Sequence, residues 1–238
     1  MSGITPSQTV GPYFAYGLTP NGKYDWNDAF SNNLVTADVT GDRIRVEGFV
    51  YDGDGANVPD AMLEIWQADA QGRFSDPQDK RSLPNASFKG FGRCGTGAAG
   101  YSFETIKPGA VPGADGQPQA PHIVLAVFGR GMTMQSMTRI YFDDEPATAS
   151  DGVIAQVPGD RRATLIAKKT APGVYRFDIH LQGDNETEFF DVELEARGLF
   201  TSPRPLRGEV DRRSRAGEGQ GTRFQYERAI VFVASPAA

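Results

Sequence analysis

From residue 44 onward the chain is a succession of short runs rich in β-branched and aromatic residues: "IRVEGFVY", "AMLEIWQ", "GYSFETI", "HIVLAVF", "TRIYFD", "ATLIAK", "VYRFDIHL" and "TEFFDVEL". Turn signals separate them, and in "YRFDIHLQ" the alternation is plain. Tyr175, Phe177, Ile179 and Leu181 fall on one face, while Arg176, Asp178 and His180 fall on the other, which is the period of a half-buried strand. Many short strands at this rhythm bury their apolar faces against one another, so the expected fold is all-β, a β-sandwich. The 28 Gly and 16 Pro of the 238 residues are scattered without a period and suit a protein with many turns. "DGDG" at 52–55 resembles the start of a calcium loop. The liganding residues that should follow are missing, and it reads as a hairpin turn.

Two flanks depart from this rhythm. Residues 1–40 show no sustained periodicity, and Pro6 and Pro12 hold their predecessors away from helical conformation, so an extended arm is expected. A short helical turn around "WNDAFSNNL", capped by Asp25 or Asn27, is the one local exception. The sandwich domain is expected over residues 41–192. Residues 193–238 are rich in Arg, Gly, Ser and Pro, the composition of a disordered or loosely packed extension in which only "RAIVFVA" could add a strand.

Composition narrows the function classes. With 24 Lys+Arg against 30 Asp+Glu the net charge is −6, which argues against a nonspecific nucleic-acid binder. The single cysteine, Cys94, permits no internal disulfide and reads as a buried thiol. The segment "MSGITPSQTV" has neither a basic stretch nor an apolar core, and the apolar run "IVLAVF" is far shorter than a membrane span. A cytoplasmic protein is expected.

Chemistry-bearing residues are few. His122 and His180 are the two histidines of the sequence. Two strand residues at i and i+2 point to the same side and can converge on a metal, but the residue two after His122 is Val124. "YFDDE" offers Asp143, Asp144 and Glu145, a cluster that reads as a solvated turn. No G-x-S-x-G elbow is present. "GFGRCGTG" lacks the Lys-Ser/Thr of a phosphate-binding loop and reads as a loop of a β protein. Arg130 in "FGRG" follows a buried strand. It reads either as an exposed strand-end arginine or as a guanidinium able to reach a cleft and bind a carboxylate bidentately.

The stretch "RVEGFVYDGDGANVPDAMLEIWQADAQGRF", Arg45 to Phe74, resembles the signature segment of the intradiol ring-cleavage dioxygenases. The likeness lies in Gly48 of the first strand, the apolar-Glu-apolar-Trp-Gln centre at Leu63–Gln67, and the Gly-x-aromatic end at Gly72–Phe74. "FGR", "GYSFETIKPG", "APHI", "TRIYFDDE", "TLIAK", "YRFDIHLQG" and "ETEFFD" are similar to further family segments in the same order, over roughly residues 5–191. The resemblance implies a β-sandwich. It also implies a non-haem Fe(III) held by two tyrosines and two histidines, at positions that here carry Phe74, Val111, His122 and Val124. One ligand of the four survives, so no metal ligand is expected in this chain.

Some members of the family are built from two homologous chains, an alpha chain without the metal and a beta chain that holds it. This sequence resembles the alpha chain. The resemblance then implies an (αβ)n assembly that cleaves protocatechuate with O2 to 3-carboxy-cis,cis-muconate, using Fe(III) held by the partner beta chain, a step of aromatic catabolism. "TPSQTVGPY" matches the alpha-chain arm motif, so Thr9, Gly11, Pro12 and Tyr13 are expected to line the shared pocket. Arg130 is expected to meet the substrate carboxylate as the catalytic arginine, and His122 to be a structural histidine at the vestige of a duplicated site. An alternative is an iron-free sandwich that binds an aromatic ligand by itself. Another is an independent metalloenzyme using His122, His180 and nearby acids.

Overall fold

The alternation in "YRFDIHLQ" is realised in full: Tyr175, Phe177 and Ile179 are buried, Leu181 packs against them, and Arg176 and His180 face outward at intermediate exposure. The computed structural model describes residues 11, 14–19, 30–76, 79–82, 87–113 and 116–190. Within them a short helix, α1 (Phe14–Leu18), precedes β1 (Arg43–Gly48), β2 (Val50–Tyr51), β3 (Met62–Trp66), β4 (Phe91–Gly95), β5 (Tyr101–Ile106), β6 (Val111–Pro112) and β7 (Pro118–Gln119). The chain continues through β8 (Ile123–Phe128), β9 (Ser136–Phe142), β10 (Ile166–Ala171), β11 (Val174–Arg176) and β12 (Ile179–His180). Three single 3₁₀ turns, Pro146–Ser150, Ile154–Gln156 and Arg162–Leu165, separate β9 from β10.

Eight strands form one sheet in the order β4-β3-β8-β9-β10-β11-β1-β5. β1 runs parallel to β11, and β9 to β10; the remaining neighbours are antiparallel. Leu63, Ile65, Leu125 and Ile140 from one half meet Ile44, Val46, Phe103 and Tyr175 from the other in a single core. The two layers expected of a sandwich are therefore the two halves of one curled sheet that comes close to a barrel.

What nearly closes it is the end of the N-terminal arm. β4 and β5 are the sheet's edges, and an edge exposes unpaired N–H and C=O groups. Residues 31–34 satisfy both. The Arg93 N–H of β4 donates to the Ser31 carbonyl (3.0 Å), the Glu104 N–H of β5 to the Asn32 carbonyl (2.9 Å), and the Leu34 N–H to the Glu104 carbonyl (2.8 Å). The Asn32 side-chain amide adds a bond to the Ser102 carbonyl at 3.1 Å.

This recruitment explains two differences from the sequence-based expectation. Phe30–Leu34 is not helical, because its backbone is committed to the two edges; the rest of "WNDAFSNNL" lies outside the described residues, and the helical turn of the arm is α1 instead. "FGRCG" is strand β4 and not a loop. Its glycines are places where the arm lies on the strand. A Cβ on Gly92 would come within 2.5 Å of Leu34 Cδ1, and one on Gly95 within 3.2 Å of Thr19 Cγ2.

Other elements follow expectation with local shifts. "DGDG" is a turn, its Asp52 carboxylate accepting from the Asp54 and Ala56 N–H groups and Gly55 adopting φ 76°. Cys94 is buried, which pushes its thiol up to about 12. In "ATLIAK" the strand begins only at Ile166, after the turn ending at Leu165. In "TEFFDVEL" a single bridge pairs Phe190 with Met137. The residues beyond it, including the expected extension 193–238 and "RAIVFVA", lie outside the described residues.

"YFDDE" is more than a solvated turn. β9 and β10 share only two aligned pairs, Tyr141 with Ile166 and Phe142 with Ala167. Asp144, just past that short junction, accepts from Lys107 Nζ, Lys169 Nζ and the Tyr175 hydroxyl, each at 2.9 Å. Burial alone would raise its pKa, but these three donors outweigh it and hold the carboxyl well below its ordinary value of 3.8. A depressed folded-state pKa contributes stability above the unfolded value that is lost as pH falls through the folded one. Asp144→Asn should therefore lower the urea midpoint at pH 7, with the gap to the native chain narrowing as pH drops below about 4; a gap independent of pH would refute the clamp.

Gly48 offers a second test. A Cβ there would sit 2.0 Å from the Phe177 carbonyl oxygen, so the signature glycine is required by the close approach of the segment between β11 and β12. Gly48→Ala should destabilise by about 1–3 kcal/mol in urea unfolding, and an unchanged midpoint would contradict the packing.

Candidate functional site

Strand β8 and its neighbours bring the four positions singled out in the sequence into one neighbourhood. His122 and Val124 project from the face opposite the main core. Val124 stands between Trp66 on β3 and Arg139 on β9 in the strand register. The Phe74 ring lies parallel to that of Trp66, with centroids 6.1 Å apart and planes 3° apart. Val111 pairs with Gln119 across β6 and β7, and the Gln119 side-chain oxygen accepts from Arg139 Nη1 at 2.7 Å. Phe74 is thus joined to Val124 through Trp66, and Val111 through Gln119 and Arg139.

The residues there do not make a ferric site. Phenyl and isopropyl groups offer no donor, which leaves the imidazole of His122. Its Nδ1 lies 2.7 Å from the Ala120 carbonyl, which can only accept, so Nδ1 carries the proton. Burial and then the nearby Arg139 charge push the His122 pKa down to about 3, against weaker upward pulls from Ala120 and Asp151. The histidine is neutral at physiological pH. Arg139 is itself a buried cation in the same neighbourhood, and it opposes a second positive charge there.

The polar groups around His122 are instead bound to one another. Asp151, 1 % exposed, accepts from the Ala120 N–H (2.7 Å), the Tyr141 hydroxyl (3.1 Å), and the Val153 and Ile154 N–H groups (2.8 and 3.1 Å). Tyr141 packs beside the His122 ring at 5.7 Å, and burial drives its phenol well above the ordinary range. His122 is thus a structural histidine in a hydrogen-bonded network. Sequence reading missed Asp151 and Arg139. The hint for Asp151 was an Asp-Gly just before a helical turn, and Arg139 carried no distinguishing signal.

His180 is elsewhere. It sits on β12 in a separate two-stranded sheet, stacked on Tyr51 at 5.0 Å. With Asp144 committed to two lysines and a tyrosine, the acids of "YFDDE" do not join either histidine. Among the described residues no three His, Cys, Asp or Glu side chains gather as a metal-binding group.

Arg130 lies in the turn after β8, beyond the strand end opposite His122, about 20 Å of strand away at the usual rise per residue. Its side chain is 62 % exposed, with Nε 3.3 Å from Asp60 Oδ2. Gly11 is exposed, and its carbonyl accepts from the Phe14 N–H at 3.3 Å at the start of α1. Thr9, Pro12 and Tyr13 lie outside the described residues. Among the described residues no helix is long and apolar enough to cross a membrane.

Comparison with known proteins agrees with this geometry. The Dioxygenase family model (Dioxygenase_C) matches residues 10–183. The protocatechuate 3,4-dioxygenase alpha chain of Burkholderia cepacia is 48% identical over 197 residues, covering 79% of this chain and 97% of that one. The beta chain of the enzyme from the same organism is 36% identical over 184 residues, covering 72% of this chain and 77% of the other. The crystal structure of 3-chlorocatechol 1,2-dioxygenase from Rhodococcus opacus 1CP superposes with a TM-score of 0.50 at 22% identity, over 62% of this chain and 63% of that one, a likeness of fold. Signature glycines, curled sheet and coverage together lead to one conclusion: the chain belongs to the intradiol ring-cleaving dioxygenase family.

Proposed function

We propose that this chain is the iron-free alpha subunit of a two-chain intradiol dioxygenase that works in the cytoplasm and opens protocatechuate with O2 to give 3-carboxy-cis,cis-muconate. The family depends on non-haem iron, and the neighbourhood built from Phe74, Val111, His122 and Val124 does not fit it. That misfit, in a chain 48% identical to an alpha chain along 97% of its length, is the observation that carries the proposal. The Fe(III) then belongs to a homologous beta chain in an (αβ)n assembly, and the oxidative chemistry is that partner's.

This chain contributes wall and charge. The arm residues Thr9, Gly11, Pro12 and Tyr13 line the pocket shared with the partner. Arg130 supplies a guanidinium for the carboxylate of an anionic catechol. Its exposure in the single chain supports that role, because an exposed ion pair such as Arg130–Asp60 holds by only about 0–1 kcal/mol. The guanidinium is free to exchange Asp60 for a substrate carboxylate.

Co-expression tests the division of labour. With a homologous beta chain that retains both tyrosines and both histidines, the expected product is a coloured complex with ring-cleaving activity; alone, this chain should purify colourless and inactive. Stoichiometric iron and O2 uptake in the lone chain would overturn the proposal. In the complex, Arg130→Ala should lower kcat/KM for protocatechuate about ten- to 150-fold, the weight of a charge-assisted hydrogen bond. Iron content should not change, and native kinetics would remove Arg130 from the pocket.

A further inference from the structure

Arg93 and Glu64 stand directly opposite each other on β4 and β3. Nε of Arg93 donates to Glu64 Oε1 at 2.7 Å, and Nη2 donates to the same oxygen. Side-chain exposures of 8% and 13% make this a largely buried ion pair. Burying two charges carries a desolvation cost that a matched apolar pair would avoid, so a pair in such a place is poorly explained by stability alone.

The rest of the guanidinium supplies an explanation. Nη1 donates to the Leu18 carbonyl at the end of α1 at 3.3 Å, and the guanidinium carbon lies 3.7 Å from the centre of the Phe30 ring. The main-chain N–H of the same residue donates to Ser31. Leu18 and Phe30–Ser31 are the two ends of the stretch 19–29, and one residue holds both. The flanking glycines extend this seat: Thr19 lies over Gly95 and Leu34 over Gly92. An arginine can do this because its planar fork carries five donors in fixed directions and its face stacks on a ring; a lysine offers one compact charge.

We propose that Arg93, held by Glu64, is a positioning residue: it clasps Leu18 and Phe30–Ser31 and so sets where α1, with Gly11 at its start, stands in the shared pocket. This rests on the function proposed above. Arg93 touches neither substrate nor metal and acts through the arm.

Arg93→Lys in the reconstituted two-chain enzyme is the test, since it keeps a cation opposite Glu64 while removing the fork. The expected result is a KM for protocatechuate raised about tenfold, the scale of one lost charge-assisted hydrogen bond. The kcat, iron content and chain stoichiometry should stay near native, with the thermal midpoint lowered by only about 2–6 °C. In the lone chain, hydrogen exchange of residues 14–19 should accelerate by about tenfold or more, a readout that needs no activity. Unchanged exchange in the lone chain would overturn the clasp, and faster exchange with an unchanged KM would overturn its role in the pocket. A KM restored only together with the midpoint by second-site stabilisation would reduce Arg93 to a structural residue. An inactive native complex would instead sink the function proposed above, and lone-chain exchange would still decide the clasp.

Discussion

A sheet that curls back on itself leaves two edges whose backbone groups need partners, and the structure turns on how those edges are satisfied. β4 and β5 approach each other without pairing along their length; Ser31, Asn32 and Leu34 lie between them and bond to both. The arm is thus part of the sheet's hydrogen-bond system at the point where it joins the domain. Its position is coupled to the core through β4, the strand that also carries Arg93 and Cys94.

The neighbourhood of His122 shows how the scaffold pairs its buried polar groups with one another. Phe74, Val111 and Val124 carry phenyl or isopropyl groups, so they leave no polar atoms seeking a cation. The imidazole is tied by Nδ1 to Ala120, while Asp151, Tyr141, Arg139 and Gln119 are joined by hydrogen bonds beside it. The histidine serves there as a packing and hydrogen-bonding group.

Much of this was legible from the residues. The alternation of "YRFDIHLQ" fixed the inward face of β11 and β12, and the apolar runs marked the central strands, because burial on one or both faces leaves a direct imprint on sequence. β4 was not legible. "FGRCG" has the glycines of a loop, and only the arm lying across it explains why a strand should have them. The arm's own pairing was equally hidden, since backbone bonds made by Ser31 and Asn32 impose no side-chain pattern. For the site, the four family positions could be read one by one, whereas Asp151 and Arg139 matter through contacts with residues distant in the chain. Arg130 emerged at the sheet end away from His122, a separation that strand direction alone dictates.

The parallel partnership of β1 with β11 sets Arg45 beside Val174. During synthesis the first long strand therefore has no neighbour on that side until more than half of the polypeptide has left the ribosome. Contacts so remote along the chain make for slow folding. The nascent protein passes through a long interval with a raw β1 flank, when sticking to other unfinished chains competes with maturation.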